Sequence, residues 1–257
     1  MIELWLRSGT AGIIVVPFVL LYLIAAGIVW LTHESPARPF FASCIGIAGP
    51  FFASVAVLFS LFAAFLANDV QHRNAEAEAA VFREADGLRT ILRLGEALGA
   101  AGNPVRVAAL GYADAVLTKE WPEMEKFGGV TEDLGALRSL TLALLTPTLT
   151  TAAPPAVHQA MLDGLIQVRQ SRLVRLTLTA GISNPMNWLA VLVLGVLTQI
   201  AVAVVQLERM RPQALALFVF TAAFAATVVL IGLSERPFAG RPIDAAALRA
   251  VAALASP

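Results

Sequence analysis

Four stretches of the chain carry no Asp, Glu, Lys or Arg over a length that can cross a bilayer: Ser8 to His33, Pro39 to Asn68, Leu176 to Leu207 and Pro212 to Ser234. A spanning helix needs roughly 20 such residues. That constraint dominates everything else. With 58% hydrophobic and 14% charged residues and a mean hydropathy of +0.76, a soluble globular protein is excluded. The formal charge is zero, so nothing in the net electrostatics points to nucleic acid. The single cysteine, Cys44, rules out an intrachain disulfide and argues against thiolate metal sites.

The first stretch follows Arg7 but is too long for the apolar core of a secretory signal, so it reads as a retained helix over about Ala11 to Leu31. Trp5, Tyr22 and Trp30 are available as interfacial anchors. The second stretch is too long for one straight span. Gly46, Gly49 and Pro50 predict a break, with the main helix beginning at Pro50. This helix meets its first charge at Asp69 and continues without Pro or Gly until Gly87, so one helix is expected to leave the bilayer and stand in water. Val57, Leu61 and Phe65 recur every four residues on it, beside a row of small residues, Ala56, Ser60 and Ala64. Small residues at that spacing let membrane helices approach closely. The pattern suits a helix lining a narrow pore in a ring of subunits, but on pattern alone an ordinary membrane helix touching two neighbours is the commoner source of it.

Residues 69–180 are expected to form one soluble, all-helical region. Its first helix runs to about Leu98. Gly99 to Asn103 ends it, and Pro104 starts a second helix that stops before Trp121-Pro122. Thr131 is a candidate N-cap for a third helix, with Glu132 and Asp133 in its first turn. Thr146 to Pro155 reads as a loop, and a fourth helix over about Ala156 to Thr179 carries Arg169, Arg172 and Arg175 on one face. Those arginines could meet anionic lipid or pair with Glu76, Glu84 or Asp86. Residues 181–234 hold the third and fourth spans, and residues 235–257 form a tail with a final helix over about Ile243 to Leu254.

Four spans place the N-terminus, the soluble region and the tail on one side. That side holds 15 of the 18 Lys and Arg, and the other side holds Arg38, Arg209 and Arg211. The positive-inside rule then puts the soluble region in the cytoplasm and the chain in the inner membrane.

Signals for catalysis are poor. His33, His72 and His158 have no Cys, His or carboxylate at metal-ligand spacing. No phosphate loop or nucleophile elbow is present, and no cofactor is indicated. Glu76, Glu78, Glu84 and Asp86 read as a solvated helix face, and Glu123, Glu125, Lys119 and Lys126 as a wet loop. No ionisable acid or base lies inside the spans, which counts against proton-coupled transport. An apolar constriction that gates by dewetting needs none. Asn68, Asp69, His72 and Arg73, just beyond the apolar row, are the candidates for charge selection, unless Asp69 and Arg73 pair at i, i+4.

The run Phe59 to Phe65, F-S-L-F-A-A-F, with Arg73 eight residues beyond, resembles the pore-neck helix of the bestrophins. Glu235-Arg236-Pro237-Phe238-Ala239-Gly240, with Asp244 beyond it, resembles the bestrophin Asn-Pro-Phe-Gly motif and the acidic residues that follow. The layout, including Glu120-Trp121-Pro122, is similar to the bestrophin-like family of bacterial membrane proteins. Ala64 stands where the family has Gly, Asn74-Ala75 replace aromatics, and the acidic cluster after the motif is almost absent. The resemblance implies an all-α, four-span homopentamer passing ions through an axial pore, with Val57, Leu61 and Phe65 as its neck. A non-conducting scaffold or sensor whose bundle binds a partner is the alternative. A membrane enzyme would need a polar cluster at the boundary, for which Asn184, Asn187 and Trp188 are the available residues.

Overall fold

The computed structural model describes residues 5–6, 8–36, 39, 49–126, 135–239 and 243–255. Among these, the chain is all α-helical with no strand. The helices are α1 (Gly9–His33), α2 (Gly49–Ala97), α3 (Asn103–Ala115), α4 (Trp121–Glu125), α5 (Gly135–Leu144), α6 (Pro147–Ala152), α7 (Pro155–Ala180), α8 (Pro185–Val205), α9 (Met210–Ser234) and α10 (Ala246–Ala252). Four of them, α1, α2, α8 and α9, are long and apolar enough to cross a membrane. The chain forms two compact units, residues 1–72 with 182–235 and residues 73–181 with 236–257.

In the first unit, α1, α8, α9 and the apolar part of α2 close around Leu21, Ala63, Leu66, Val70, Trp188, Val191, Phe224 and Val228. Glycine sets one of the approaches. A Cβ at Gly195 would fall 2.0 Å from the ring of Phe224, so α8 meets α9 where α8 has no side chain. Phe224 then meets Phe59 of α2 edge-on, with centroids 5.2 Å apart and planes at 82°. Two buried amides tie the helices by hydrogen bonds. Gln199 Nε2 donates to Thr221 Oγ1 at 2.8 Å and to the Leu21 carbonyl at 3.3 Å. Gln213 Nε2 donates to the Ala203 carbonyl at 2.8 Å, and its Oε1 accepts from Thr32 Oγ1 at 3.2 Å. In lipid, where apolar contact alone drives little association, such bonds and close packing hold helices together.

The second unit has its own core, including Leu88, Ile91, Val105, Tyr112, Leu140, Leu144 and Met161. Here α2 crosses α7 at a glycine pair: a Cβ on Gly87 would sit 2.8 Å from the Gly164 carbonyl oxygen. Beside this crossing lies a buried ionic network. Arg175 donates through Nε to Glu84 Oε2 at 2.8 Å, through Nη2 to Glu84 Oε1 at 2.9 Å and to Glu120 Oε2 at 2.8 Å, and through Nη1 to Met124 Sδ at 2.9 Å. Tyr112 Oη donates to Glu84 Oε1 at 2.6 Å, and Arg172 Nη2 donates to Glu120 Oε1 at 2.5 Å. Arg175, Glu84 and Tyr112 are fully buried. Burial pulls the Arg175 guanidinium down, but Glu84, Tyr112 and Glu120 together hold it above its ordinary value. Burial, and next the Glu84 carboxylate, push the Tyr112 phenol well up.

Several expectations need correction. Glu84 is not part of a solvated face; it is buried with Arg175, the pairing that the arginine face of α7 also allowed. The helix before Trp121-Pro122 does not stop there. It widens into a π-helical turn over Val116–Glu120 and continues as α4, with Pro122 in the first turn. A helix start has no use for the N–H that proline lacks, so the wide turn lets the rod pass through Pro122 and aims Glu120 inward. Lys119, Glu123, Glu125 and Lys126 are exposed as expected, but on this turn and helix or at its end rather than in a loop. Within Thr146 to Pro155, α6 forms because Thr146 is extended and Pro147 opens the helix, closing with a bond from the Thr150 N–H to the Thr146 carbonyl at 3.0 Å. Tyr22, midway along α1, donates its hydroxyl to the Phe218 carbonyl at 3.2 Å. The final helix is shorter than read, Ala246–Ala252 followed by a 3₁₀ turn. Arg7, Arg38, Cys44, Gly46, Thr131, Glu132, Asp133, Gly240 and Arg241 lie outside the described residues.

Replacing Arg175 by Met leaves two buried carboxylates short of a cation and is expected to cost about 3–5 kcal/mol, read from thermal unfolding of the purified protein. The network also makes stability fall at high pH. The unfolded Tyr112 phenol ionises around 10.0 and the folded one does so only above that, so stability is intact below about pH 10 and declines beyond it. Phenolate absorbance in a Tyr22→Phe protein, whose one remaining tyrosine is Tyr112, checks this: half-ionisation before unfolding at pH 10 contradicts it.

Candidate pore-lining face

The apolar part of α2 packs by a stripe at steps of four and three residues: Phe59, Ala63, Leu66 and Val70. That period keeps one side of a helix toward its neighbours and leaves the other side bare. Val57, Leu61 and Phe65 are on the bare side, at 63%, 44% and 55% exposure. Phe65 is steadied by Phe62, whose ring meets it edge-on at 6.2 Å. Ser60 and Ala64 are exposed next to them and Ala56 is half-buried. Asn68 and His72 continue the exposed side past the apolar row. The Ser60 hydroxyl is satisfied locally, donating to the Val57 carbonyl at 2.8 Å.

The bare side of α2 differs from that of α1. There Ile14, Val15, Val16, Val19, Leu20 and Leu23 stand exposed, an apolar surface suited to hydrocarbon. On α2 the exposed row mixes apolar residues with Ser54, Ser60, Asn68, Gln71 and His72. Polar groups directed into hydrocarbon are costly, so this mixture suits a surface that meets water or another protein chain.

Two of the candidate charges are engaged by backbone. Asp69 Oδ2 accepts from the Asn184 N–H at 3.3 Å, just ahead of α8, whose first turn is further capped by the Asn184 side chain on the Met186 N–H at 2.9 Å. Arg73 donates to the Gly181 carbonyl at 2.6 Å and to the Leu178 carbonyl at 3.4 Å, at the C-terminal end of α7. Each charge has the sign that its helix end favours.

The segment after α9 is also placed. Glu235, buried, accepts from the Ser183 N–H at 3.1 Å, from the Ser183 hydroxyl and from Trp188 Nε1 at 2.7 Å. Trp5 meets Trp188 edge-on at 5.6 Å. Asn184 and Trp188 are therefore occupied by structure; Asn187 is only half-buried and has no such bond among the described residues. Pro237 and Phe238 are buried, and Phe238 meets Trp121 edge-on at 5.6 Å. Asp244 is exposed and pairs with Arg249. The sequence reading missed Glu235 as a buried acceptor; its position directly after an apolar span was the available signal. No group of three His, Cys, Asp or Glu placed to hold a metal occurs among the described residues.

No curated protein matches the chain. Among solved structures, a bacterial bestrophin homologue from Klebsiella pneumoniae superposes with a TM-score of 0.69 at 12% identity, covering 93% of this chain and 96% of that one. A single-residue variant of a Klebsiella pneumoniae homologue gives 0.66 at 15% identity with the same coverage. Another structure, described as a membrane protein, gives 0.67 at 12% identity, again with 93% and 96% covered. At such identities the likeness is one of fold. The family itself is shown by sequence: the bestrophin-like domain matches residues 19–242, and the chain belongs to the bestrophin-like family.

Proposed function

We propose that copies of this chain assemble as a ring, most simply the pentamer that the bestrophin resemblance implies, and pass ions through an axial pore lined by α2. The observation that carries the reading is the bare side of α2, which among the described residues stays exposed at Val57, Leu61 and Phe65 and mixes apolar with polar residues, where Ile14 to Leu23 on α1 expose only apolar side chains. Val57, Leu61 and Phe65 form the neck, a stacked apolar constriction that controls flow by dewetting. Ala56, Ser60 and Ala64 give the neighbouring copy room to approach. Past the neck, Asn68 and His72 are directed to the permeating ion. Asp69 and Arg73 set the field there while holding the ends of α8 and α7. The process is passive conduction, not catalysis.

The four spans place residues 69–180 and 235–257 in the cytoplasm under the positive-inside rule. Pro237 and Phe238 anchor the tail through Trp121, with Gly240 and Asp244 completing the motif.

The mass of the detergent-purified particle tests the ring: a value near five chains of 27.1 kDa is expected, and a monomer or dimer leaves α2 no axis to line and favours the scaffold reading. In liposomes, replacing Val57, Leu61 and Phe65 together by Ala is expected to raise ion flux severalfold; unchanged flux from an intact ring removes them from the constriction. Asn68→Asp adds one carboxylate per subunit on the bare side and is expected to move the reversal potential toward that of the cation. A reversal potential that does not move takes this turn out of charge selection.

A further inference from the structure

The second unit contains a cationic cavity of about 380 Å³ that the pore has no use for. It lies between α2, α3 and α10 with the turn after it, lined by Arg89, Arg93, Glu96 and Arg106 over an apolar wall of Leu92, Leu110, Ala250 and Leu254. Arg89 is held in place by a hydrogen bond from Nη2 to the Ala247 carbonyl at 3.3 Å. Arg93 and Arg106 make no hydrogen bond or ion pair among the described residues. Arg89 and Arg93 are four residues apart on one helix, an arrangement in which like charges repel. Three guanidiniums against one carboxylate leave two uncompensated positive charges around one cavity.

We propose that this cavity binds a small phosphate monoester with an apolar or aromatic body. A phosphate monoester carries about two negative charges near pH 7, which matches the excess. Guanidinium forks are suited to bidentate contact with its oxygens. The apolar wall takes the body of the ligand, and the volume lies within the small-ligand range of roughly 300–1,000 Å³. Glu96 opposes a second anionic group and so favours a ligand with one phosphate.

The test is calorimetric titration of the detergent-purified full chain with phenyl phosphate, phenyl sulfate and inorganic phosphate at one ionic strength. Phenyl phosphate is expected to bind saturably and more tightly than either of the others, since the sulfate has half its charge and inorganic phosphate has no apolar body. Arg93→Gln and Arg106→Gln are each expected to weaken phenyl phosphate about tenfold, the size of one charged hydrogen bond. The unliganded melting temperature of Arg93→Gln should not fall, because that side chain is exposed and unpaired. Absence of saturable binding, equal affinity for the three anions, equal affinity in wild type and variants, or a lower melting temperature for Arg93→Gln would each overturn the proposal.

Discussion

The structure depends on how a single helix divides its two sides. At 1.5 Å per residue, 49 residues make α2 more than long enough to cross a hydrocarbon layer of about 30 Å twice over. In its apolar part, Phe59, Ala63, Leu66 and Val70 commit one side to the other spans. Among the described residues, the opposite side stands exposed at Val57, Leu61 and Phe65. Because the packed side is fixed by aromatic edges and by the missing side chain at Gly195, rotating α2 to bury the bare side would break contacts with α9. The unpartnered surface is thus a consequence of good packing elsewhere.

The second unit answers a different constraint. Its helices cross closely enough at Gly87 and Gly164 that charged side chains near the crossing lose access to water. Buried ions are tolerated only when their bonds are complete. Glu84 meets this by accepting from both Arg175 and Tyr112, and Glu120 by accepting from Arg172 and Arg175. The π-helical turn is part of the same solution. Without the wider turn, the residues after Val116 would keep α-helical phase and Glu120 would present a different side.

Much of this was legible in the sequence because membrane solvation leaves a coarse imprint. The spans, the continuity of α2 past Asp69, the Gly99–Pro104 junction and the start of α8 after Asn184 follow from charge distribution and from proline and glycine chemistry. Three features were not legible. Charge on a helix emerging from the bilayer looks solvated until a partner helix is known, so Glu84 was misread. A proline in mid-rod ordinarily ends a helix, so the π-helical turn before Pro122 had no local sign. The cavity beside Arg89 and Arg106 joins residues of separate helices, and no periodicity reports such a meeting. Of the candidate pore residues, the spacing of Val57, Leu61 and Phe65 announced a shared side, but not that this side stays exposed.

Asp69 and Arg73 show why residue type alone was ambiguous for charge selection. They are one turn apart on α2 and opposite in sign, and the sequence allowed mutual pairing, direct contact with an ion, or for Arg73 a structural role holding the next subunit. In each unit the charge instead meets a helix end. Arg73 lies on the terminal carbonyls of α7, where the dipole is negative, and Asp69 lies on an amide before α8, where it is positive. A side chain held this way is restrained, and its charge is partly offset by the dipole it faces. It still contributes to the potential along α2, but its removal would also loosen a helix terminus. Asn68 and His72 carry no such bond to the backbone among the described residues, so at that turn the exposed surface is made by the weaker polar groups. The stronger charges are turned to the helix ends instead.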